Sequence, residues 1–203
     1  MFALVESGSI IKYLNGNKGI QIGDLKYPRA IYTLWTEAER NAIGIYEVVF
    51  DDSNKKDERW YKNTNQSYAF ANNKVTATYG TATAKAHADT TWTQEQIDDG
   101  DAPDGADTNT VATRGLKYNL IQTVKAQAAS ELARTDWYIT RNAEKSTAIP
   151  SAITTHRDLV RSRQAAMETS ITNASDTPAL ETLYAYTTDS DGVHSRPLGE
   201  LPT

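Results

Sequence analysis

Cysteine is absent from the 203 residues, which removes disulfides, thiolate catalysis and thiolate metal sites together. That absence agrees with synthesis in a reducing cytoplasm. Histidine is scarce as well. His87, His156 and His194 fall in three separate segments without H-x-x-x-H or H-E-x-x-H spacing, so no metal centre is spelled out. Apolar residues reach only 39% and mean hydropathy is −0.58, lean for an enzyme core and generous to loops and assembly surfaces. No run approaches the roughly 18 apolar residues that a membrane span needs. Met1–Leu14 has neither a basic leader nor a small-residue cleavage site and reads as strand, not as a signal peptide, so a soluble protein is expected. The net charge of −5 lacks the cationic surplus by which nucleic-acid binders displace counterions.

The motifs of common chemistries are missing too. There is no G-x-S-x-G elbow for a nucleophilic serine, no G-x-x-x-x-G-K-[ST] phosphate loop and no G-x-G-x-x-G. No cofactor is implied, and no nucleophile is paired with a base. The protein is expected not to be an enzyme.

What the sequence does carry is a long periodic stretch from Leu116 to Ile171. Leu120, Ile121, Val124, Ala128 and Leu132 recur at three- and four-residue steps, the spacing of one helix face. The pattern continues more loosely through Trp137, Ile139 and Ala143, predicting a helix over Leu116–Lys145. Pro150 cannot extend that helix but suits the first turn of another. Ile153, His156, Val160, Gln164, Met167 and Ile171 then share a face, with Thr155, Arg157, Asp158, Arg161 and Glu168 opposite. Two narrow stripes joined by a short connection predict an antiparallel helical hairpin, each helix depending on the other or on a neighbour. Trp137 is expected to lock the two helices together or the hairpin onto a partner. Asp136 is expected to pair with Arg157 or Arg161.

The first 83 residues read differently. Phe2–Glu6 and Ser9–Leu14 flank Ser7-Gly8, a hairpin signal. Asn15–Gly19 is turn chemistry, and Ile20–Ile31 is irregular, with Tyr27-Pro28 extended. Thr36-Glu37-Ala38-Glu39 is a capping box opening a short helix that Gly44 closes. Ile45–Phe50, Trp60–Lys62, Ser67–Phe70 and Lys74–Tyr79 have strand composition, with Asn72-Asn73 as a turn. The aromatic group Trp60, Tyr61, Tyr68, Phe70 and Tyr79 could stack sugars or bases, although core packing is the usual role of such residues.

Asp98-Asp99-Gly100-Asp101-Ala102-Pro103-Asp104-Gly105 is rich in carboxylates. It does not follow the calcium-loop pattern, because the twelfth position from Asp99 is Thr110 where a bidentate glutamate is needed. A solvated linker with one helical turn at Thr93–Ile97 is the simpler reading. After Ile171, Pro178, Pro197 and Pro202 and few large apolar groups predict an extended tail. Arg134, Arg141, Arg157, Arg161 and Arg163 tint the helical pair basic, in keeping with salt bridges within an assembly.

Three blocks resemble a known family. The opening Met1-Phe2-Ala3-Leu4-Val5-Glu6 with Leu25-Lys26-Tyr27-Pro28, and the segment from Trp35 to Val48, look like parts of tailed-bacteriophage tail proteins. Leu132-Ala133-Arg134-Thr135-Asp136-Trp137, with Arg141, Glu144, Pro150, Arg157 and Arg161, resembles the L-x-x-T-D-W … R-x-x-E … P … R-x-x-x-R helical pair of phage tail-fibre, baseplate and fibre-assembly proteins. The resemblance implies a virion structural protein, a tail or baseplate component made in the host cytoplasm and carried in the tail. It would bind other tail or baseplate proteins in several symmetric copies, without nucleic acid or membrane partners. It brings no catalytic residues.

The expected fold is therefore α+β. A β-rich domain (1–83) precedes an acidic linker (84–112), a helical hairpin (113–173) and an extended C-terminal tail (174–203). The candidate protein-interface residues are Trp137, Asp136, Arg157, Arg161 and His156. A tail-fibre assembly chaperone and a carbohydrate-binding module are the alternatives.

Overall fold

The computed structural model describes residues 1–202. Two compact units divide at Thr83/Ala84, and the protein is α+β, with a β-rich amino-terminal unit and helices in the carboxyl-terminal one.

The first unit contains β1 (Phe2–Glu6), β2 (Ser9–Leu14), β3 (Ile20–Ile22), β4 (Leu25–Tyr27), α1 (Ile31–Leu34), α2 (Glu37–Ala42), β5 (Ile45–Asp51), β6 (Tyr61–Lys62), β7 (Gln66–Ala71) and β8 (Lys74–Tyr79). Its main sheet has the order β2-β1-β5-β8-β7. β5 is the shared strand: its first half pairs antiparallel with β1, and its second half pairs parallel with β8. The sheet curls enough for its outer strands to meet, with Tyr13 of β2 stacking on Tyr68 of β7 at 4.7 Å between ring centroids.

Alternation along the strands populates two cores. Ala3, Val5, Val48, Val75 and Ala77 form one cluster. Leu4, Leu14, Ile31, Tyr32 and Ile45 form the other, with Phe2, Tyr27 and Trp35 against it. Both two-residue turns behave as read. Ser7 and Gly8 have positive φ, as do Asn72 and Asn73, the geometry that matches strand twist in tight hairpins. The stretch read as irregular holds a small hairpin, β3 with β4, turning at Gly23 with φ +56°.

The second unit contains β10 (Thr90–Thr91), α3 (Gln94–Asp98), β11 (Val111–Thr113), α4 (Leu116–Ala133), α5 (Asp136–Lys145), α6 (Ser151–Asn173), α7 (Thr177–Tyr184), β12 (Thr187–Thr188) and β13 (His194–Ser195). β9 (Thr83–Ala84) spans the boundary between the units.

Contacts between α4 and α6 run in opposite senses. The Lys117 ammonium donates to the Thr172 carbonyl, Lys125 pairs with Glu168, and His156 lies against Glu131. The predicted stripes face inward, with Val124, Ala128, Val160, Met167 and Ile171 all buried.

Three expectations are corrected. The helix predicted over Leu116–Lys145 is interrupted at Arg134–Thr135, which divides it into α4 and α5.

The linker predicted over 84–112 belongs to the second unit. Its start caps α4: the Leu116 and Lys117 amides donate to the carbonyls of Ala86 and His87, and the Gly115 amide donates to Asp89 at 2.7 Å. The first amides of any helix lack internal partners, and Gly115 has no side chain with which to cap. Asp89 is consequently held below the ordinary carboxylate range, first by the Gly115 amide and then by Arg114. Gly115 is required for this approach, since a Cβ there would overlap the Ala88 carbonyl.

The tail predicted over 174–203 is not extended. Asp176 caps α7 by accepting from the Ala179 amide at 2.8 Å, and Pro178 sits in its first turn. Aspartate followed by proline is a helix-start signal. Leu180 and Leu198 are buried, and β12 pairs with β13. Thr203, the last residue of that predicted tail, lies outside the described residues.

Candidate protein-interaction site

The break between α4 and α5 is built around one arginine. At the end of α4 the last carbonyls lack the regular helical amide partner, and the Leu132 carbonyl accepts instead from the Thr135 amide at 3.1 Å. Arg157 of α6 answers from across the pair: its Nη1 donates to the Leu132 carbonyl at 2.8 Å and to Thr135 Oγ1 at 2.7 Å. The same nitrogen is 2.9 Å from Asp136 Oδ1. Thr135 also donates its hydroxyl to the Leu132 carbonyl. Arg157 is 8% exposed, so its charge is withdrawn from water and met by three oxygens, an arrangement that fixes geometry strongly. Asp136 opens α5, where a carboxylate also suits the amino end of the helix.

Asp136 therefore pairs with Arg157 and not with Arg161. Arg161 bonds to Asp158 three residues earlier on its own helix, an exposed pair. The sequence reading put Arg157 on the polar side of α6. That assignment is corrected, because the guanidinium is long enough to reach the α4 terminus while its stem lies along the packed face. His156 is half-buried, with Nε2 3.8 Å from Glu131. Glu131 in turn accepts from Arg134 at 2.8 Å.

Trp137 does not lock α4 to α6. It is 51% exposed, and its ring stacks on Tyr138 with centroids 3.8 Å apart. The chain break explains this, because α5 starts in a new phase. Thr135, Tyr138 and Arg141, at three-residue steps, turn inward, while Trp137 and Ile139 turn out. Arg141 lies over both rings, its Cζ 4.8 Å from the Trp137 centroid and 5.6 Å from that of Tyr138. Its Nε is shielded from solvent without an acceptor. An apolar stripe passes over Tyr138 and leaves Arg141 only as part of the basic tint and of the motif; their register with Thr135 is the signal that marks both as one face.

The arrangement offers an outward aromatic face braced by a cation, on a helix whose start is clamped by Arg157. Such surfaces, large rigid rings beside arginine, are typical anchors of protein contacts. The β-unit aromatics contribute no comparable face at Trp60 and Tyr61, which are 2% and 5% exposed. Among the described residues no group of three or more His, Cys, Asp or Glu could hold a metal, and no helix is long and apolar enough to cross a membrane. Comparison with known proteins identifies no relative: no family model, no curated protein and no solved structure matches the chain.

Proposed function

We propose that this protein is a structural part of a tailed-bacteriophage tail or baseplate, acting through protein-protein contacts and carried in the virion. The observation that carries the reading is the convergence of the residues on which the phage resemblance rests. Leu132, Thr135 and Asp136 meet the guanidinium of Arg157, and the next residue, Trp137, is left outward beside Arg141. A motif that spends a buried arginine on positioning an exposed indole is suited to presenting that indole to another protein. No reaction follows from it.

The half-exposed Trp137 equally suits an escort that holds unassembled fibres and then leaves, so an assembly chaperone is the second reading. Mass spectrometry of purified particles separates the two. Peptides of this protein in fixed proportion to known tail proteins are expected. Their absence from particles, with the protein present in infected-cell lysate, would replace the first reading by the second.

A further inference from the structure

The first unit holds a cleft of about 470 Å³ beside the turn that joins β2 to β3. That volume is in the range of small-molecule sites. Although the chain carries a net charge of −5, no residue lining the cleft is acidic, and neither aspartate nor glutamate occurs from Ser7 to Gly23. Two exposed lysines, Lys12 and Lys18, stand in its wall instead. The ion pairs of this unit among the described residues, Arg40 with Glu47 and Arg59 with Asp57, use neither lysine. Glu47, two strands across the sheet from Leu14, is thus engaged by Arg40. Asp24 and Lys26 of the β3–β4 hairpin lie outside the lining and offset each other in charge.

The turn adds donors of the same polarity. Among the described residues the amides of Gly16 and Lys18 donate to no group of the chain, and neither does the Asn15 side chain. Free amides beside ammonium groups favour an anion. The rest of the wall is largely apolar. Leu14 and Tyr32 belong to the second core cluster, Ile20 is half-buried, and Tyr13 is 52% exposed.

We propose that this cleft binds a small organic anion, a carboxylate or phosphate group carried on a ring-sized apolar body. The charged group meets Lys12, Lys18 and the Gly16 amide through charge-assisted hydrogen bonds, and the body lies along Tyr13 and Ile20. Both halves are needed. A bare ion leaves the apolar wall uncovered, and a neutral ring gives the ammonium groups nothing to pair with. The inference goes beyond the assembly reading and takes nothing from the α5 face.

Amide chemical shifts of the full chain, titrated with benzoate and with phenyl phosphate, test it. Saturable shifts at Gly16, Lys18 and Gly19 are expected with at least one probe, and the tighter of the two identifies the charged group. Phenol, the neutral ring, and inorganic phosphate, the bare ion, should each bind about tenfold more weakly or worse. Lys12→Gln with Lys18→Gln should weaken the tighter probe by about tenfold or more. Lys62→Gln, an exposed lysine outside the lining, should leave it unchanged. No saturable shift with either probe, phenol or inorganic phosphate binding as tightly as the better probe, a double variant that binds as the wild type does, or an equal loss in Lys62→Gln would each overturn the proposal. Should the double variant fail to fold by circular dichroism, Lys18→Gln on its own takes its place, with a loss of about threefold expected. The particle mass spectrometry above is unaffected by these outcomes, so the two readings fail separately.

Discussion

The first unit terminates its helices with neighbours in sequence; in the second, α3 and α7 are capped locally too, but α4 is closed at both ends by residues far away. In the first, Thr36 caps α2 from the adjacent position. Its hydroxyl accepts from the Glu39 amide while Glu39 accepts from the Thr36 amide at 2.7 Å. Arg40, itself buried, donates to the Trp35 carbonyl five residues back. In the second, α4 is capped by Asp89 from 26 residues upstream, and its far end is closed by Arg157 from 25 residues downstream. The chemistry is shared: a carboxylate at an amino end, a guanidinium at a carboxyl end. What differs is the loop that must be closed before the bond can form. A local cap can form in an isolated segment, whereas a remote one exists only once the unit has folded. The second unit should therefore behave as one cooperative block, and the α2 region of the first as a locally stabilised piece.

Breaking the remote closures should cost most. Arg157→Met removes the charged donor shared by Leu132, Thr135 and Asp136, leaving the Leu132 carbonyl only its contacts with Thr135, and Asp136 without its ion pair. A loss of about 2–3 kcal/mol is expected. Urea titration followed by hydrogen exchange would locate it across the whole second unit. A loss restricted to α5 would show that Arg157 does not couple the helices.

Gly115→Ala pushes a methyl into the Ala88 carbonyl and should cost about 2 kcal/mol through overpacking. The measurement that checks it is the exchange rate of the Leu116 and Lys117 amides, which should rise together as the 86–89 segment is displaced. Unchanged protection of both would mean that the cap does not depend on the close approach.

Thr36→Ala deletes a local cap and is expected to cost about 1 kcal/mol, with faster exchange limited to the first turn of α2. If the second unit melted earlier as well, the contrast between local and remote closure would be wrong.

The smallest effect is visible only in acid. Asp89 has its folded pKa depressed by the Gly115 amide and Arg114, and Glu39 by the Thr36 amide and hydroxyl. For a depressed carboxylate the stabilisation is complete above the unfolded value, about 4, and disappears as pH falls through the folded value. Thermal melts of the wild type between pH 5 and about pH 2 should therefore show a decline that is shallower in Asp89→Asn for the second unit only. Identical slopes in wild type and variant would remove Asp89 from the account.

The same contrast explains how much of the molecule could be read in advance. The Thr36/Glu39 box, the Thr93/Gln96 turn of α3, the Ser7-Gly8 and Asn72-Asn73 hairpins and the stripe from Val124 to Ile171 were legible, because each depends on residues within one or two turns of one another. The candidate site was half legible. The Asp136 partnership was correctly narrowed to two arginines, but the choice of Arg157 and its burial were not readable. Nor was the outward turn of Trp137, which follows from the break at Arg134–Thr135 and not from its own surroundings in the chain.

Composition and spacing alone settled the α+β class, the division near residue 83 and the identity of the inward stripes, since these follow from side-chain periodicity and local hydrogen bonding. Folding decided that residues 86–89 cap α4, that the carboxyl-terminal segment closes as α7 and a hairpin, and that Arg157 closes the far end of α4. The α7 cap and the hairpin are local, but the α4 cap and the Arg157 closure each need two groups brought together across some 25 residues. Nothing in the local chemistry of either partner announces the other.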